Sequence, residues 1–356
     1  MNSPESKAQA LCRWFDQTQR PLPWRAEYAP YQVWISEIMA QQTRMDQLIP
    51  YYLRWMKALP DIAALAEVPE DQLLKLWEGL GYYNRARNLK LAAQKVMAQG
   101  GKLPMGRKEL LDLPGIGPYT AGAILSIAFN QPEPLIDGNI ERVLARLLDL
   151  DINPKTAAGK RYFEAEVAAL MRGFEPRKVA QGLMELGALV CSPTNPNCGE
   201  CPWGGDCLAR QKGTIEARPV LPPRPEGIKE KRLVLVLEES GQFYLLPQPK
   251  GARWGGMELF LMPLVERWPQ AEGLTAHLPE GVALAGTPQY LGEFRYTVTK
   301  YRVQAQAWRI PIDRRPSGGL WLSLEELEAR ALPRPGVKTR ELLRGALKPR
   351  NAVAAL

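Results

Sequence analysis

The chain has 356 residues, which is too long for one ordinary domain, and 46% of them are hydrophobic, which excludes a disordered polypeptide. Lysine and arginine outnumber the acidic residues by 46 to 38, so the formal net charge of +8 makes an acidic partner such as a nucleic acid one candidate. No run of about 18 apolar residues occurs, and the N-terminal residues lack the apolar core of a signal peptide, so we expect a soluble cytoplasmic protein with no membrane partner.

Apolar residues recur at spacings of three and four from Pro30 to about Arg210, which predicts a series of α-helices separated by glycine and proline. A proline-rich segment follows, and beyond it short β-branched and aromatic runs predict strands. We therefore expect an all-α domain over residues 1–211, an extended linker over 212–230, and a smaller α+β domain over 231–346.

Glu37 is the first carboxyl group in a chemically suggestive setting. It lies in the predicted helical run WISEIMAQQT, where Trp34, Ile35, Ile38 and Met39 surround it. A carboxyl group among apolar side chains loses hydration, its pKa rises, and it can serve as a general acid near neutral pH. The alternative is a glutamate at the solvent edge of an amphipathic helix, which is the commoner case for an isolated residue.

The stretch LPGIGPYTAGAIL, residues 113–125, interrupts two helical runs with Gly115 and Gly117. Both glycines permit a positive φ and remove side chains that would keep another molecule from the backbone. A turn that opens a helix also directs free N–H groups outward, which suits a phosphate. The simpler alternative is a tight connection between antiparallel helices.

Asp137 follows the apolar residues EPLI and precedes the predicted helix IERVLARLL. It is expected to cap that helix, and a helix start is also a position that keeps a carboxylate ionised. A protonated Glu37 and an ionised Asp137 would form the pair of groups that glycosidic cleavage needs, an acid for the leaving group and a negative charge for the developing cation.

Four of the five cysteines fall in one run with the spacing C-x6-C-x2-C-x5-C, namely Cys191, Cys198, Cys201 and Cys207. Disulfides are rare in cytoplasmic proteins, so a Cys₄ zinc site and a [4Fe–4S] cluster are the two candidates. Zinc ribbons favour two C-x2-C pairs and only one is present, which favours iron and sulfur. A structural role is expected rather than a redox one.

The single histidine, His277, lies in the polar stretch EGLTAHLPEG and is expected at the surface. A Ser-His-Asp triad or a two-histidine metal site is therefore disfavoured. Any acid–base chemistry has to use carboxylates, lysine, tyrosine or cysteine.

The joint order of these motifs resembles the endonuclease III (helix-hairpin-helix) superfamily of DNA glycosylases. LPGIGPYTAGAIL, the aspartate in LIDGNIERVLAR and the cysteine run carry this resemblance, while SEIMAQQTR and GLGYYNRARNL resemble the MutY-type adenine glycosylase branch. The resemblance covers nearly the whole chain, including RWGGMELFLMPL and SLEELEARALPRPGVKTRELL.

The resemblance implies a multidomain protein with an all-α helix-hairpin-helix glycosylase domain, an iron–sulfur cluster, and a smaller Nudix-like α+β domain over 231–346. A helical module is expected over about 25–133 with the hairpin at 108–129, and a cluster module is expected from the N-terminal helix plus 134–211. The four cysteines match the ligands of a [4Fe–4S] cluster that organises a DNA-contacting loop.

The implied function is hydrolysis of adenine paired with 8-oxoguanine or G in double-stranded DNA by a monomeric, nucleoid-associated enzyme. Glu37 would protonate adenine N7, and Asp137 would stabilise or capture the sugar cation. Tyr119 and Asn139 would line the same pocket. Bifunctional relatives carry a lysine where Tyr119 stands, and a phenol cannot form their Schiff base, so a monofunctional enzyme is expected.

The implied DNA contacts lie in several motifs. Gln42 and Tyr82 match the residues that fill the gap left by a flipped base, and the N–H groups of Gly115 and Gly117 would bind a phosphate. Four arginines are plausible supporting cations, although each is equally consistent with a solvated helix face: Arg85, Arg87, Arg142 and Arg146.

The C-terminal domain resembles a Nudix-like module that recognises 8-oxoguanine, but it lacks the R-E-x-x-E-E pattern, so no pyrophosphatase activity is expected. The family often has a Phe-Ser-His turn here, and this chain has Val298-Thr299-Lys300 instead. Thr299 keeps a hydroxyl as a candidate DNA contact, whereas Lys300 replaces a neutral imidazole with a charge.

Two alternatives remain open from the sequence. One is another enzyme of the superfamily, either an endonuclease III-like lyase for oxidised pyrimidines or a mismatch-thymine glycosylase. The other is a non-catalytic protein that binds DNA lesions, against which the presence of both carboxyl groups argues.

Overall fold

The computed structural model describes residues 3–223 and 225–347, which form two compact units. One unit comprises residues 3–68 and 84–223, and the other comprises 69–83 and 225–347. Residues 69–83 therefore group with the C-terminal part of the chain, although they lie inside the expected 1–211 domain. Residues 1, 2 and 224, on which the expected domain and linker ranges also fall, lie outside the described residues.

The first unit is helical, and the second contributes three α-helices, Glu70–Trp77, Leu324–Ala329 and Arg334–Leu347. None of the described helices is long and apolar enough to cross a bilayer. Shorter 3₁₀ helices cover Pro23–Arg25, Ile215–Ala217 and Ala271–His277, and π-helical turns extend α8 over Ile124–Ala128 and α11 over Leu186–Val190. The α-helices are α1 (Pro4–Thr18), α2 (Pro30–Ala40), α3 (Met45–Ala58), α4 (Ile62–Glu67), α5 (Glu70–Trp77), α6 (Asn84–Ala98), α7 (Arg107–Leu111), α8 (Pro118–Ala123), α9 (Gly138–Leu147), α10 (Ala157–Met171), α11 (Pro176–Glu185), α12 (Leu208–Lys212), α13 (Leu324–Ala329) and α14 (Arg334–Leu347).

Short polar side chains begin several helices of the first unit. Ser3, Asp61, Asp137 and Thr156 each accept a hydrogen bond from the backbone N–H three residues further on. Each of these bonds satisfies one of the N–H groups that a helix start leaves without a partner. The expected cap at Asp137 is therefore present, and it determines where α9 begins.

The core of the first unit is formed by α1, α9, α10 and α11. Leu11, Leu144, Phe163 and Leu183 contribute one buried side chain from each of these helices. The same core contains Ile140 in the first turn of α9. Packing of that turn holds the N-terminus of α9, and with it Asp137, in a fixed position.

The second unit is built on a six-stranded sheet in which Glu258–Leu259, Gln242–Pro247, Ile228–Glu239, Tyr301–Pro311 and Gln289–Val298 lie side by side in this order, and Leu320–Leu322 pairs with Gln242–Pro247. The central pair is parallel, with Ile228 opposite Tyr301, and the other pairs are antiparallel. The first strand begins inside the expected linker 212–230. The strands are β1 (Ile228–Glu239), β2 (Gln242–Pro247), β3 (Glu258–Leu259), β4 (Gln289–Val298), β5 (Tyr301–Pro311) and β6 (Leu320–Leu322).

Successive residues of β1 belong to two different apolar clusters. Leu233 and Leu235 pack into one cluster, while Val234 and Val236 pack into the other, where Leu343 of α14 joins them. Alternate side chains of a strand point to opposite faces, so both faces of the central pair are buried. The expectation of a helical domain followed by a smaller α+β domain is confirmed.

The two glycines of the α7–α8 connection have different conformations. Gly115 has a φ of +80°, and an added Cβ would lie 2.8 Å from Cβ of Asn88. Gly117 has a φ of −96°, and an added Cβ would meet nothing within 4 Å. Only Gly115 therefore needs the left-handed conformation, whereas Gly117 leaves open space beside the start of α8.

We predict that Gly115→Ala destabilises the protein by about 1–3 kcal/mol, because the new methyl group adds strain at a positive φ and a clash with Asn88. Gly117→Ala is the matched control and should leave the melting temperature within about a degree of wild type, because its φ suits alanine. Thermal unfolding of both variants checks this. Equal destabilisation by the two substitutions would contradict it.

Candidate active site

A cavity of about 620 Å³ opens in the first unit. Glu37, Tyr119, Asp137 and Asn139 all line it, as does Gln42. These side chains come from α2, α8 and the start of α9, and from the residues just after α2. The structure therefore brings together the four residues that the sequence predicted as catalytic. The volume of the cavity falls in the range typical of small-molecule sites.

Glu37 is buried in the cavity wall, with only 5% of its surface exposed. The hydroxyl of Tyr119 donates a hydrogen bond of 2.9 Å to its Oε2 atom. Burial raises the pKa of Glu37 to about 7, and the charge of Asp137 adds to this, while the bond from Tyr119 and the charge of Arg25 oppose it. The carboxyl group is thus a proton donor and acceptor balanced near neutral pH.

Tyr119 is suited to remain a hydrogen-bond donor. Burial, followed by the charges of Glu37 and Asp137, raises its pKa well above the usual value of a phenol. The residue follows Pro118, which starts α8 immediately after the glycine turn. The turn therefore positions the phenol of Tyr119 within hydrogen-bond distance of the Glu37 carboxyl group.

Asp137 is held by two hydrogen bonds that involve both carboxyl oxygens. Oδ1 accepts the N–H of Ile140 at 2.8 Å, and Oδ2 accepts the side-chain amide of Asn139 at 3.0 Å. The positive end of the α9 dipole also lies at this residue. Asp137 is thus both the helix cap and a cavity residue, and its surroundings favour a negative charge.

The orientation of Asn139 depends on Arg142 and Gly187. Nη2 of Arg142 donates to Oδ1 of Asn139 and to the carbonyl oxygen of Gly187, each at 2.8 Å. An added Cβ at Gly187 would lie 2.7 Å from Cβ of Asn139, so only glycine allows this close approach. The amide of Asn139 is therefore locked with its N–H facing Asp137.

The alternative that Arg142 and Arg146 lie on a solvated helix face is wrong, because they are 9% and 3% exposed. Arg142 donates to the carbonyl oxygen of Cys191. Arg146 donates to the carbonyl oxygens of Ser192 and Pro193, and it approaches Sγ of Cys191 to 3.5 Å. Both side chains fix the loop that begins at the first cysteine of the run.

The four cysteines of the run are half-buried free thiols. Burial raises the pKa of Cys201 to about 11, a backbone hydrogen bond at Trp203 opposes this, and the charges of the other three cysteines add to it. Nearby guanidinium groups would compensate the negative charge of thiolates. Within residues 3–223 and 225–347, no three His, Cys, Asp or Glu side chains are arranged to hold a metal ion.

A second group of charged residues lines the cavity, and sequence reasoning missed it. Glu185 is 1% exposed and accepts hydrogen bonds from Arg20 (2.8 and 3.0 Å) and from Arg25 (2.6 Å). Arg25 also donates to Oε1 of Gln181 at 2.8 Å. The one available signal was the position of Glu185 between apolar residues in QGLMELGALV, which predicts a buried carboxyl group.

Gln42 and Tyr82, the expected gap-filling residues, share two properties. Both side chains are exposed, and both residues have a positive φ, +58° for Gln42 and +49° for Tyr82. A bulky residue in this conformation is uncommon and is usually maintained for a function. Each side chain is presented at the surface of its own unit.

Arg85, an expected DNA contact, has a role in the fold. Its Nη1 atom donates to the carbonyl oxygens of Ile38 (2.9 Å) and Gln41 (2.6 Å). These bonds satisfy carbonyl groups at the end of α2 and hold the backbone that leads to Gln42. Arg87 donates a longer bond of 3.4 Å to Asn84.

Thr299 lies at the turn between β4 and β5, with a φ of +48°. Its side chain is exposed, and its hydroxyl donates to the carbonyl oxygen of Val298 at 2.8 Å. The threonine hydroxyl proton is therefore used within the turn, while the oxygen can still accept a hydrogen bond.

His277, expected at the surface, is half-buried at the end of a 3₁₀ helix.

The known proteins to which this chain is similar include DNA glycosylases, as the site predicts. The profile of a family described as "HhH-GPD superfamily base excision DNA repair protein" matches residues 35–168, which include Glu37 and Asp137. The chain is 32% identical to the adenine DNA glycosylase of Homo sapiens over 391 aligned positions, with 91% of this chain and 71% of that protein covered. The chain belongs to the adenine DNA glycosylase family.

A second relative supports the family, and a solved structure supports the fold. The adenine DNA glycosylase of Mus musculus is 39% identical over 226 residues, which cover 61% of this chain and 44% of that protein, so the chain spans less than half of that relative. A solved thermostable thymine-DNA glycosylase is similar with a TM-score of 0.54 and 26% identity, covering 59% of this chain and 97% of that one. The family and the enzyme class expected from the motifs, a DNA glycosylase, are confirmed.

We predict that Glu37→Gln becomes more stabilising, relative to wild type, as the pH rises from 5 to 7. The folded pKa of about 7 lies above the ordinary value of 4.5, so the folded wild type binds more protons than the unfolded chain in this range and loses stability as the pH rises. The difference should grow by roughly 2–3 kcal/mol and then level off above pH 7.

Denaturant unfolding of the wild type and Glu37→Gln at several pH values measures this difference. Glu67→Gln is the matched control, because Glu67 is exposed in the same unit. A difference between wild type and Glu37→Gln that does not change with pH would contradict the raised pKa.

Proposed function

We propose that the chain hydrolyses the N-glycosidic bond of adenine paired with 8-oxoguanine or G in double-stranded DNA. The observation that carries this proposal is the pairing of two unlike carboxyl groups in one cavity. Glu37 is buried with a pKa of about 7, and Asp137 is held by a helix start and an amide. Glycosidic cleavage uses this combination of a proton donor and a fixed negative charge.

Glu37 is the general acid of the proposed reaction. Its Oε2 atom accepts the hydrogen bond from Tyr119, which leaves Oε1 to carry the proton that is transferred to N7 of the extruded adenine. A protonated adenine is a better leaving group, because it departs as a neutral base when the bond from C1′ to N9 breaks. Above pH 7 the protonated fraction of Glu37 declines.

Asp137 stabilises the sugar as the bond breaks. The electron pair of the C1′–N9 bond leaves with the base, and the sugar becomes an oxocarbenium-like cation that a nearby carboxylate stabilises. Asn139 and the N–H of Ile140 keep the two Asp137 oxygens in place. Water then attacks C1′ to give the abasic sugar, and the proton that this water loses restores the acid form of Glu37.

Arg25 and Glu185 bind the edge of the extruded base. Adenine presents an exocyclic amino group as a donor beside ring nitrogens that accept, whereas guanine has an acceptor oxygen in place of that amino group. The carboxylate of Glu185 accepts from the amino group, and the guanidinium of Arg25 donates to a ring nitrogen. This pairing supports adenine as the substrate, since base-processing enzymes read such edges after flipping.

The DNA backbone is bound at the α7–α8 connection. The open space beside Gly117 allows a phosphate to approach the N–H groups at the start of α8, and the net charge of +8 favours binding of a polyanion. Gln42 and Tyr82 fill the gap left by the adenine. Such contacts determine position on the duplex without reading its sequence.

The enzyme is monofunctional in this proposal. Strand cleavage through a Schiff base needs an amine nucleophile at the sugar. Tyr119 occupies the position next to the acid, and no lysine lines the cavity within residues 3–223 and 225–347. Water is therefore the nucleophile, and an abasic site is the product.

Cys191, Cys198, Cys201 and Cys207 would hold a [4Fe–4S] cluster. The C-x6-C-x2-C-x5-C spacing and Arg146, whose Nη1 lies 3.5 Å from Sγ of Cys191, support a cofactor bound by thiolates, because the guanidinium would offset their charge. Such a cluster supplies a structural link that closes the loop from 191 to 207. Arg142 connects this loop to Asn139.

The C-terminal unit is a Nudix-like module that contacts the 8-oxoguanine strand in this proposal. The alignment with the human protein covers 91% of the chain and so includes most of this unit. Thr299 offers an exposed hydroxyl oxygen at the β4–β5 turn. We further propose that the protein acts as a monomer in the cytoplasm, on nucleoid DNA.

We predict that the wild type excises adenine opposite 8-oxoguanine, and more slowly opposite G, and that Glu37→Gln reduces the single-turnover rate by at least about a hundredfold. The measurement is an excision assay over duplexes that contain A opposite 8-oxoguanine, G and C, together with T:G and an oxidised pyrimidine. Glu67→Gln is the matched control and should retain the wild-type rate.

Preferential cleavage of the T:G or oxidised-pyrimidine duplex would support one of the two other superfamily enzymes. Trapping of a covalent adduct by borohydride would contradict a monofunctional mechanism. Binding of lesion DNA without any turnover would support the non-catalytic alternative.

We predict that the purified protein contains about four iron atoms per chain and that Cys198→Ala lowers this content, because one thiolate ligand is lost. Elemental analysis and visible absorption measure the cluster. Cys12→Ala is the matched control and should retain the iron, since Cys12 lies outside the run. One zinc atom per chain in place of iron would contradict the cluster.

A further inference from the structure

Tyr28 lies behind the cavity wall and connects to the residues that form it. Its hydroxyl oxygen accepts a hydrogen bond of 3.2 Å from Nε2 of Gln181. Gln181 is buried, lines the cavity, and accepts the Nε–H of Arg25 on its Oε1 atom at 2.8 Å. Arg25 donates to Glu185, so a continuous series of hydrogen bonds runs from Tyr28 to the base-binding pair.

The amide of Gln181 has to be oriented for this series to exist. Oε1 must face Arg25, because an amide N–H pointed at a guanidinium group would place two donors against each other. The two N–H groups on Nε2 are then satisfied by the Tyr28 hydroxyl and by the carbonyl oxygen of Arg177, at 3.3 Å. Without the hydroxyl, one buried N–H loses its acceptor, and the orientation of the amide is less strongly determined.

Tyr28 is itself held in an unusual conformation. Its φ is +54°, a left-handed value that is uncommon for a bulky residue. The guanidinium carbon of Arg177 lies 4.3 Å from the centre of its ring, and Arg177 donates to the carbonyl oxygens of Ile127 and Ala128. Strained residues persist where the surrounding contacts over-determine them, and they concentrate at functional sites.

We propose that Tyr28 is a positioning residue for base binding. Through Gln181, it holds Arg25 in the orientation in which Arg25 and Glu185 bind the edge of the extruded adenine. Tyr28 does not touch the base, since it does not line the cavity. This role rests on the adenine glycosylase function proposed above.

Tyr28→Phe tests the role, because it removes the hydroxyl and keeps the ring under Arg177. In single-turnover excision by the full-length enzyme on an A:8-oxoguanine duplex, it should slow the reaction by about threefold to tenfold, as expected for one lost hydrogen bond. Tyr162→Phe is the matched control, because Tyr162 lies 38% exposed on α10, and should stay within about twofold of wild type. A wild-type rate for Tyr28→Phe would overturn the proposal.

A second substrate separates positioning from a general structural effect. 1-Deazaadenine in place of adenine keeps the amino group but lacks N1, the ring nitrogen beside it that Arg25 would bind, so Tyr28→Phe should slow its excision by less than about twofold. Equal slowing of both bases would overturn the proposal. This comparison does not depend on any change at Gln181.

A double-mutant cycle tests the route of the effect. If Tyr28 acts through Gln181, then Tyr28→Phe should add no further slowing to Gln181→Met, whereas multiplied effects would overturn that route. If Gln181→Met does not fold, the 1-deazaadenine comparison alone decides. Failure of the proposed function is distinguishable, because it appears in the wild type as no excision of adenine from any duplex, and the role of Tyr28 would then fall with it.

Discussion

The hydrogen bond from Tyr119 to Glu37 is the interaction on which the cavity depends. A carboxyl group buried among apolar side chains is driven toward its neutral form, because the surroundings do not solvate its charge. Burial alone would leave an acid that holds its proton too tightly, and the donor from Tyr119 opposes that shift. The result is a group that can give up its proton near neutral pH while remaining sheltered from bulk water.

Asp137 is also a carboxyl group, but it is surrounded by hydrogen-bond donors rather than by apolar side chains. Both of its oxygens accept hydrogen bonds, one from the start of α9 and one from Asn139. Arg142 extends this arrangement to the carbonyl oxygen of Cys191, outside the cavity. The loop that carries the cysteines therefore contributes to the geometry of the carboxylate, although none of these cysteines lines the cavity.

The parts of the site that sequence predicted are those that local pattern encodes. Apolar neighbours indicated that Glu37 is buried, and a helix start indicated the cap at Asp137. Glu185 and Arg25 were missed because 160 residues separate them and no local pattern reports such a contact. The solvated-face alternative for Arg142 was wrong because α9 buries eight of its ten residues, and a helical period alone does not show that a charged face is covered.

The grouping of residues 69–83 with the C-terminal unit was missed for a related reason, since α5 has the same helical pattern as its neighbours in the chain. Unit membership depends on which partner covers an apolar face, and this information lies elsewhere in the sequence. The parallel pairing of β1 with β5 is likewise non-local. Local composition was enough to predict that strands are present, whereas their order in the sheet depends on contacts across the whole domain.

The charges of Arg20, Arg25 and Glu185 complement those of the carboxyl pair, Glu37 and Asp137, in the same cavity. Arg20 and Arg25 balance Glu185 and Asp137, so the charge of these side chains sums to zero while Glu37 is protonated. A neutral base can therefore enter without meeting an uncompensated charge. In the proposed reaction, transfer of the Glu37 proton to the base makes the cavity wall negative as the sugar becomes positive, so that the step that activates the leaving group also stabilises the cation that remains.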